Sequence, residues 1–256
     1  MRVLSVARDL QRRHARERHG LFVAEGVRTV DELLRSTLTI RGALVAPPVP
    51  DLAHGRSLVA ALHERGVPVQ EVSAAEFASA ADTETPQGIL AIAQVPKHSL
   101  AALPIDAPFR LLVLDAVQDP GNVGTIVRTA AALGVAAIVS LPGTVDLWNA
   151  KVVRSSMGAL FHHPALACTW EELTSFRSQH AVPLWGADSA GESLSGLTRT
   201  REAIPPRLAI AVGNEGSGIG AQVRQGAERL VSVEIASTVE SLNVAVATGI
   251  LLYELR

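Results

Sequence analysis

The sequence predicts an α/β protein of two modest domains, the second built on a largely parallel sheet. Three observations carry this expectation. The chain has 256 residues, which at about 150 residues per domain makes one large domain or two modest ones. Apolar residues make up 48% of it and aromatics only 4%; the apolar set leans on Ala, Val and Leu, a balance of helix-plus-parallel-sheet proteins more than of aromatic-rich sandwiches. Short apolar runs alternate with helical periodicities, as where helical crossovers join strands. With charged residues at 19%, disordered, collagen-like and low-complexity classes are excluded.

The elements follow in order. Residues 5–18 read as one polar helix and L-F-V-A at 21–24 as a short strand meeting Glu25-Gly26. Val27, Val30, Leu33 and Leu34 then recur at helical spacing. A strand at 40–46 stops at Pro47-Pro48, and a helix at 56–65, a strand at 67–72, a helix at 74–81 and a strand at 88–94 complete a small α/β domain over 1–95. Residues 96–108 hold Pro96, Pro104 and Pro108 without periodicity, which reads as a linker. The second domain, 109–256, opens with L-L-V-L at 111–114, a helix over 123–133 and V-A-A-I-V at 135–139. Continuous apolar runs of this kind suit parallel strands covered on both faces. Helices at 150–156 and 170–180, strands at 182–187, 208–212 and 230–233, and a helix over 242–255 complete it.

Composition bounds the setting. No apolar run approaches the roughly 20 residues that span a bilayer, and no apolar stretch follows Arg2 and Arg8 as in a signal peptide, so a cytoplasmic protein without membrane contact is expected. The lone cysteine, Cys168, can form neither an internal disulfide nor a cysteine zinc site and reads as a packing residue. His162-His163 lacks a third ligand at a recognisable spacing, so no metal is expected. Trp148, Trp170 and Trp185 read as core or rim residues. The formal charge of −2 hides an asymmetry: residues 1–28 carry seven arginines against three acidic residues, a net +4, and leave −6 on the remainder. Such a patch steers phosphate-bearing partners or is merely a solvated face.

Ligands of open α/β sheets sit beyond the carboxyl ends of the strands, so three loops stand out. The first, D-A-V-Q-D-P-G-N-V-G-T-I-V-R (Asp115 to Arg128), has a Pro120-Gly121 turn, and Asn122 is expected to cap a helix starting at Val123. Arg128, four residues after Gly124, can lean back toward the loop or pair with a surface carboxylate. The second, G-N-E-G-S-G (Gly213 to Gly218), fits neither the dinucleotide fingerprint nor the Walker loop. Glu215 in its middle would repel a phosphate, so a neutral or cationic ligand suits it better, unless Glu215 only caps the following helix. The third runs from Val233 to Glu254. Ser241 or a neighbour is expected to cap a helix apolar nearly all round, in which Asn243 is either a buried structural hydrogen-bonder or a site residue.

In order and spacing, N-x-G-x-x-x-R-x-A (Asn122 to Ala130), G-N-E-G-x-G (Gly213 to Gly218) and E-S-L-N-V-A-V-A (Glu240 to Ala247) resemble the three motifs of the SpoU, or TrmH-like, class of SPOUT RNA methyltransferases. F-V-A-E-G-V-R at 22–28 and T-P-Q-G-I-L-A at 85–91 resemble the small ribosomal-protein-like RNA-binding domain that many members carry in front. The resemblance implies transfer of a methyl group from S-adenosylmethionine to a ribose 2′-hydroxyl of ribosomal RNA. Transfer RNA, or a non-catalytic RNA-binding protein that kept the fold, are the alternatives. It also implies a C-terminal trefoil knot, a homodimer, and Arg128 as the catalytic arginine, with Asn122, Glu215, Ser241 and Asn243 orienting Arg128 and the ribose. Gly213, Val233, Leu242 and Asn243 are implied as the cofactor cradle, largely through backbone. Glu234-Ile235 depart from the Pro-Met often found after the position of Val233. Arg12, Arg13 and Arg16, with Arg128, are the expected RNA contacts.

Overall fold

A computed structural model of the chain describes residues 2–49, 52–198 and 204–256. It divides into two compact units, Met1–Lys97 with Trp148–His162, and His98–Leu147 with His163–Arg256.

In the first unit the expected single helix at 5–18 is two, α1 (Val3–Asp9) and α2 (Arg13–His19). The break has a visible cause. The Arg16 guanidinium donates to the carbonyls of Leu10 (2.8 Å) and Gln11 (2.9 Å), satisfying groups that a continuous helix would have bonded itself. Then come β1 (Leu21–Glu25), α3 (Val27–Arg35), β2 (Ile40–Val45), α4 (Ala53–Glu64), β3 (Val69–Glu71), α5 (Ala74–Ala78) and β4 (Ile89–Gln94). The sheet order is β1-β4-β2-β3, with β4 antiparallel to both neighbours and β2 parallel to β3. Leu44, Leu90, Ile92 and Phe77 form a core with Val3, Ala7 and Leu10 of α1. Glu25 is buried and accepts the Asp82 N–H (2.7 Å) and the Thr83 hydroxyl. That anchors a turn, the architectural duty expected of a buried carboxylate with donors around it.

The second unit begins before the expected end of the linker. Leu100, Leu103 and Ile105 pack on its core, through a 3-10 turn at Leu100–Ala102. Strand β5 (Phe109–Asp115) leads to α6 (Pro120–Ala132) and β6 (Ala137–Ser140). Strand β6 starts two residues later than the expected run because the chain first caps α6: Gly134 takes φ +75° and the Val135 N–H returns to the Ala130 carbonyl at 3.1 Å. Trp148–His162, expected within the catalytic domain, packs instead with the first unit, where α7 (Ala150–Ser155) lies against β1 and Phe22 contacts Trp148 and Phe161 at ring-centroid distances of 4.6 and 5.8 Å. There follow β7 (Ala165–Ala167), α8 (Trp170–His180), β8 (Leu184–Ser193), α9 (Leu194–Thr198), β9 (Arg207–Gly213), α10 (Ala221–Gly226), β10 (Arg229–Ser232) and α11 (Val244–Glu254). The sheet is parallel throughout, in the order β10-β8-β9-β5-β6-β7. The central strands are buried on both faces, with Leu111 to Leu114 and Leu208 to Ala211 fully covered. Among the described residues no helix is long and apolar enough to cross a membrane.

Candidate active site

From β5 the chain proceeds to β6 on one side, while β9 lies on the other side of β5, in register Asp115 opposite Gly213. Their loops diverge at this switch point, the place where open α/β sheets bind ligands. Asp115 is buried and accepts the Gly220 N–H at 2.6 Å, tying the end of β5 to the start of α10. Ala116, next in the chain, is held at φ +55°, a conformation a non-glycine residue adopts only under constraint.

Helix α6 starts three residues earlier than expected. Asp119, not Asn122, caps it, accepting the Asn122 N–H at 2.7 Å, and Pro120 fills the first position. Proline there sacrifices no intrahelical bond. The shift frees the Asn122 side chain. Its Nδ2 donates to Glu215 Oε1 (3.0 Å) and its Oδ1 accepts from Asn243 Nδ2 (2.9 Å). One amide thus joins all three loops.

Glu215 does not cap the following helix, which begins at Ala221 behind Gly220. It turns to the first loop and accepts the Gln118 and Asp119 N–H groups at 3.3 and 3.1 Å. Desolvation pushes its carboxyl up, but the Asn122 amide and the backbone N–H donors outweigh that and hold it below the ordinary carboxylate range. The loop itself closes on Asn214, whose N–H and carbonyl exchange bonds with Gly218 at 2.9 Å. The Asn214 side chain accepts the Gly216 and Ser217 N–H groups and donates to the Ala116 carbonyl at 3.0 Å. Gly213 is obligatory here, since a Cβ would stand 2.1 Å from the Gly218 carbonyl carbon.

Of Ser241 and its neighbours, it is Asn243 that caps the last helix. Its Oδ1 accepts the Ala245 N–H at 2.9 Å, so α11 starts at Val244. It is exposed at the helix start and not buried within it. Ser241 is exposed and makes no hydrogen bond among the described residues, while Val233 and Leu242 are half-buried on the loop between β10 and α11. The Arg128 guanidinium is exposed on α6 and, among the described residues, has neither a hydrogen bond nor an ion pair.

The basic segment needs one correction. Arg12 pairs with Asp9, and Arg13 with Glu17 at 2.8 Å, both on the surface. Arg16 is only 6% exposed and donates to the carbonyls between α1 and α2, a structural position unlike the exposed one expected of an RNA contact. Cys168 is half-buried, its thiol pushed up to about 12 by burial with help from Glu172, as suits a packing residue. Sequence reasoning missed Asp115, Asp119 and Asn214. The available signals were a carboxylate ending a buried strand, an Asp-Pro pair at a helix start, and an Asn heading a glycine turn.

Along α11, Val246, Ile250 and Tyr253 are exposed at 53%, 37% and 55%, an apolar stripe at helical spacing.

The SpoU rRNA methylase family matches residues 110–253, and an MRM3-like substrate binding domain matches residues 5–91. The 23S rRNA (guanosine(2553)-2′-O)-methyltransferase RlmP of Bacillus subtilis is 32% identical over 250 residues, covering 97% of this chain and 94% of that protein. A crystal structure of an AdoMet-bound rRNA methyltransferase from Sinorhizobium meliloti superposes with a TM-score of 0.84 at 28% identity, over 100% of this chain and 94% of that one. The SpoU methyltransferase AviRb from Streptomyces viridochromogenes, in complex with AdoMet, gives 0.84 at 25% identity, over 100% and 97%.

Proposed function

The chain belongs to the SpoU rRNA methylase family, and from that premise we propose that it transfers a methyl group from S-adenosylmethionine to a ribose 2′-hydroxyl of ribosomal RNA. The observation that carries the reading is the bonded series Glu215–Asn122–Asn243, which joins three loops at the ends of the strands while Arg128, on the same helix as Asn122, has no partner among the described residues.

The residues present fit the cofactor. S-adenosylmethionine carries a sulfonium and no phosphate, in keeping with a glycine loop that holds a carboxylate and no Lys or Arg. Gly213, Val233 and Leu242 would hold the adenosyl part through main-chain groups, with Asn243 fixing the far end of that loop. When bound, the cofactor supplies an electrophilic methyl group. The chain's own task is to set the ribose hydroxyl behind the S–CH3 bond, and positioning of this kind supplies much of a rate acceleration. Arg128 is the group for it. A guanidinium offers a fork of N–H donors and no acceptor, so it holds the neighbouring phosphate and stabilises charge developing on the 2′-oxygen. Asn122, Glu215 and Asn243 keep its helix in place, and Ser241, exposed beside them, faces the ribose.

In this reading the first unit docks RNA, with Arg12 and Arg13 on its surface. Two copies pair through the Val246, Ile250 and Tyr253 stripe, and the C-terminal part carries the trefoil knot. The protein works in the cytoplasm, where ribosomal RNA is.

Calorimetry with S-adenosylmethionine, followed by mapping of 2′-O-methyl groups in ribosomal and transfer RNA incubated with the protein and chelator, tests the proposal. Cofactor binding and one new site in ribosomal RNA are expected. Absence of binding, or activity abolished by chelator, overturns it. A new site in transfer RNA alone corrects the substrate, and RNA binding without transfer points to the non-catalytic alternative.

A further inference from the structure

The chain leaves β10 at Ser232 and regains regular structure at Val244. Between them, among the described residues, the backbone bonds to itself through Val239 N–H and the Ala236 carbonyl at 3.0 Å, and side chains tie its two ends. At the far end Asn243 reaches Asn122. At the near end Ser232 Oγ donates to the Gly191 carbonyl at 3.0 Å, and the Glu234 carboxylate receives two hydroxyls, Ser193 on Oε1 and Ser195 on Oε2, the latter at 3.0 Å.

The strands build this arrangement. The parallel register of β10 on β8 jumps from Leu230 opposite Gly186 to Val231 opposite Glu192 and Ser232 opposite Ser193. Just past that last pair, Glu234 reaches Ser193 at the end of β8 and Ser195 in the first turn of α9. The jump requires Gly191, whose Cβ would stand 2.6 Å from the Leu230 carbonyl carbon and the Val231 nitrogen. Residues 187–191 are therefore bulged out between the paired Gly186 and Glu192, so that Ser193 and Ser195 arrive beside Glu234.

We propose that Glu234 is a positioning residue for the methyl donor: its carboxylate clamps the chain just past Val233 to the junction of β8 and α9, and so fixes the main chain at the edge of the adenosyl cradle. This rests on the reading of Val233 and Leu242 as cofactor-binding. Without the clamp, residues 233–242 are tied mainly through Ser232 and Asn243, and binding the cofactor must also order them, at a cost in conformational entropy. The consequence falls on cofactor affinity. The chemical step at saturation is spared, because Arg128 and Asn122 stand on α6.

The test is calorimetry and steady-state methylation with the full chain as Glu234→Ala, Glu234→Gln, the Ser193→Ala/Ser195→Ala pair, and the three changes combined. Glu234→Ala is expected to weaken S-adenosylmethionine binding and raise its KM about tenfold with kcat within about twofold, while Gln, which keeps an acceptor, recovers most of the loss. The serine pair should reproduce the defect, and the combination should be no worse than either, as for partners in one interaction. Wild-type affinity in Glu234→Ala, additive losses, or a fall in kcat at unchanged KM overturns the clamp. If Glu234→Ala does not fold, the serine pair carries the same comparison. A wild-type chain that binds no S-adenosylmethionine overturns the reading of the site and the clamp with it, whereas a wild type that binds beside indifferent variants overturns the clamp alone.

Discussion

Glu215 lies in a glycine loop of the kind that cradles phosphates in other proteins, yet its side chain bonds to a different loop. The carboxylate is held ionised by the Asn122 amide and the N–H groups of Gln118 and Asp119, below its ordinary range. A depressed carboxylate contributes stability that is fully present above its unfolded value, about 4.3 for Glu, and is lost as pH falls through the lower folded value. Glu215→Gln should therefore melt below the wild type at pH 7, and the gap in urea midpoint should shrink as pH drops below about 4. A gap that persists unchanged into acid would mean that the charge is not its source. Arg128 makes the opposite case, a charge with no partner among the described residues. An interaction formed mainly in the transition state lowers turnover and not ground-state affinity, so Arg128→Ala should lose roughly 100-fold or more in single-turnover methylation. Its calorimetric affinity for S-adenosylmethionine should stay at the wild-type value. Transfer within a few-fold of the parent would remove Arg128 from the chemistry.

At the scale of the elements, what is legible in the sequence is what burial writes locally. Strands β5 and β9 announce themselves as continuous apolar runs because both faces are covered, and α6 and α8 through their periodicity. Helix starts are legible only to within a few residues. Asp119-Pro120 outcompetes Asn122, and Asn243 outcompetes Ser241, because the residue whose side chain reaches the N–H groups two or three ahead wins the cap. The packing of Trp148–His162 with the first unit and the Asp115 to Gly220 bond, which spans 105 residues, have no local signature, since long-range partners leave no periodicity. Glycines are legible as a loop but not as a constraint. At Gly213 an added Cβ would meet backbone, 2.1 Å from Gly218 C and 2.2 Å from Ile219 N, and backbone cannot swing away as a side chain does. Gly213→Ala should cost about 1–3 kcal/mol and weaken S-adenosylmethionine binding. Gly216→Ala, whose Cβ would meet only Asn214 Oδ1 at 3.6 Å, should be close to neutral in the same urea melts and titrations. Equal effects would show that the loop tolerates separation of Asn214 from Gly218.

For the whole molecule, the net −2 is uninformative beside its distribution, which places +4 on residues 1–28. Within that segment the three arginines expected to dock RNA have separate roles. Arg12 and Arg13 are exposed and paired with Asp9 and Glu17, and surface pairs of this kind are worth about 0–1 kcal/mol, little enough for a phosphate to displace. Arg16 is buried and holds α1 to α2. If the first unit docks single-stranded RNA through this face, replacing Arg12 and Arg13 by Gln should weaken binding and flatten the slope of log K against log salt by roughly 1.4, at about 0.7 for each phosphate no longer neutralised. Affinity for S-adenosylmethionine should not change, since the residues proposed to hold it, Gly213, Val233 and Leu242, belong to the second unit. Arg16→Gln should do the reverse: a loss of about 1–3 kcal/mol in folding stability, from carbonyls left without their charged donor, with the salt slope of the folded protein intact. Salt titrations of RNA binding beside urea melts of both variants separate the two. A slope unaltered by the Arg12 and Arg13 changes would make that face a solvated one, and the phosphate contacts would then belong to Arg128 and the loops at the ends of β5 and β9.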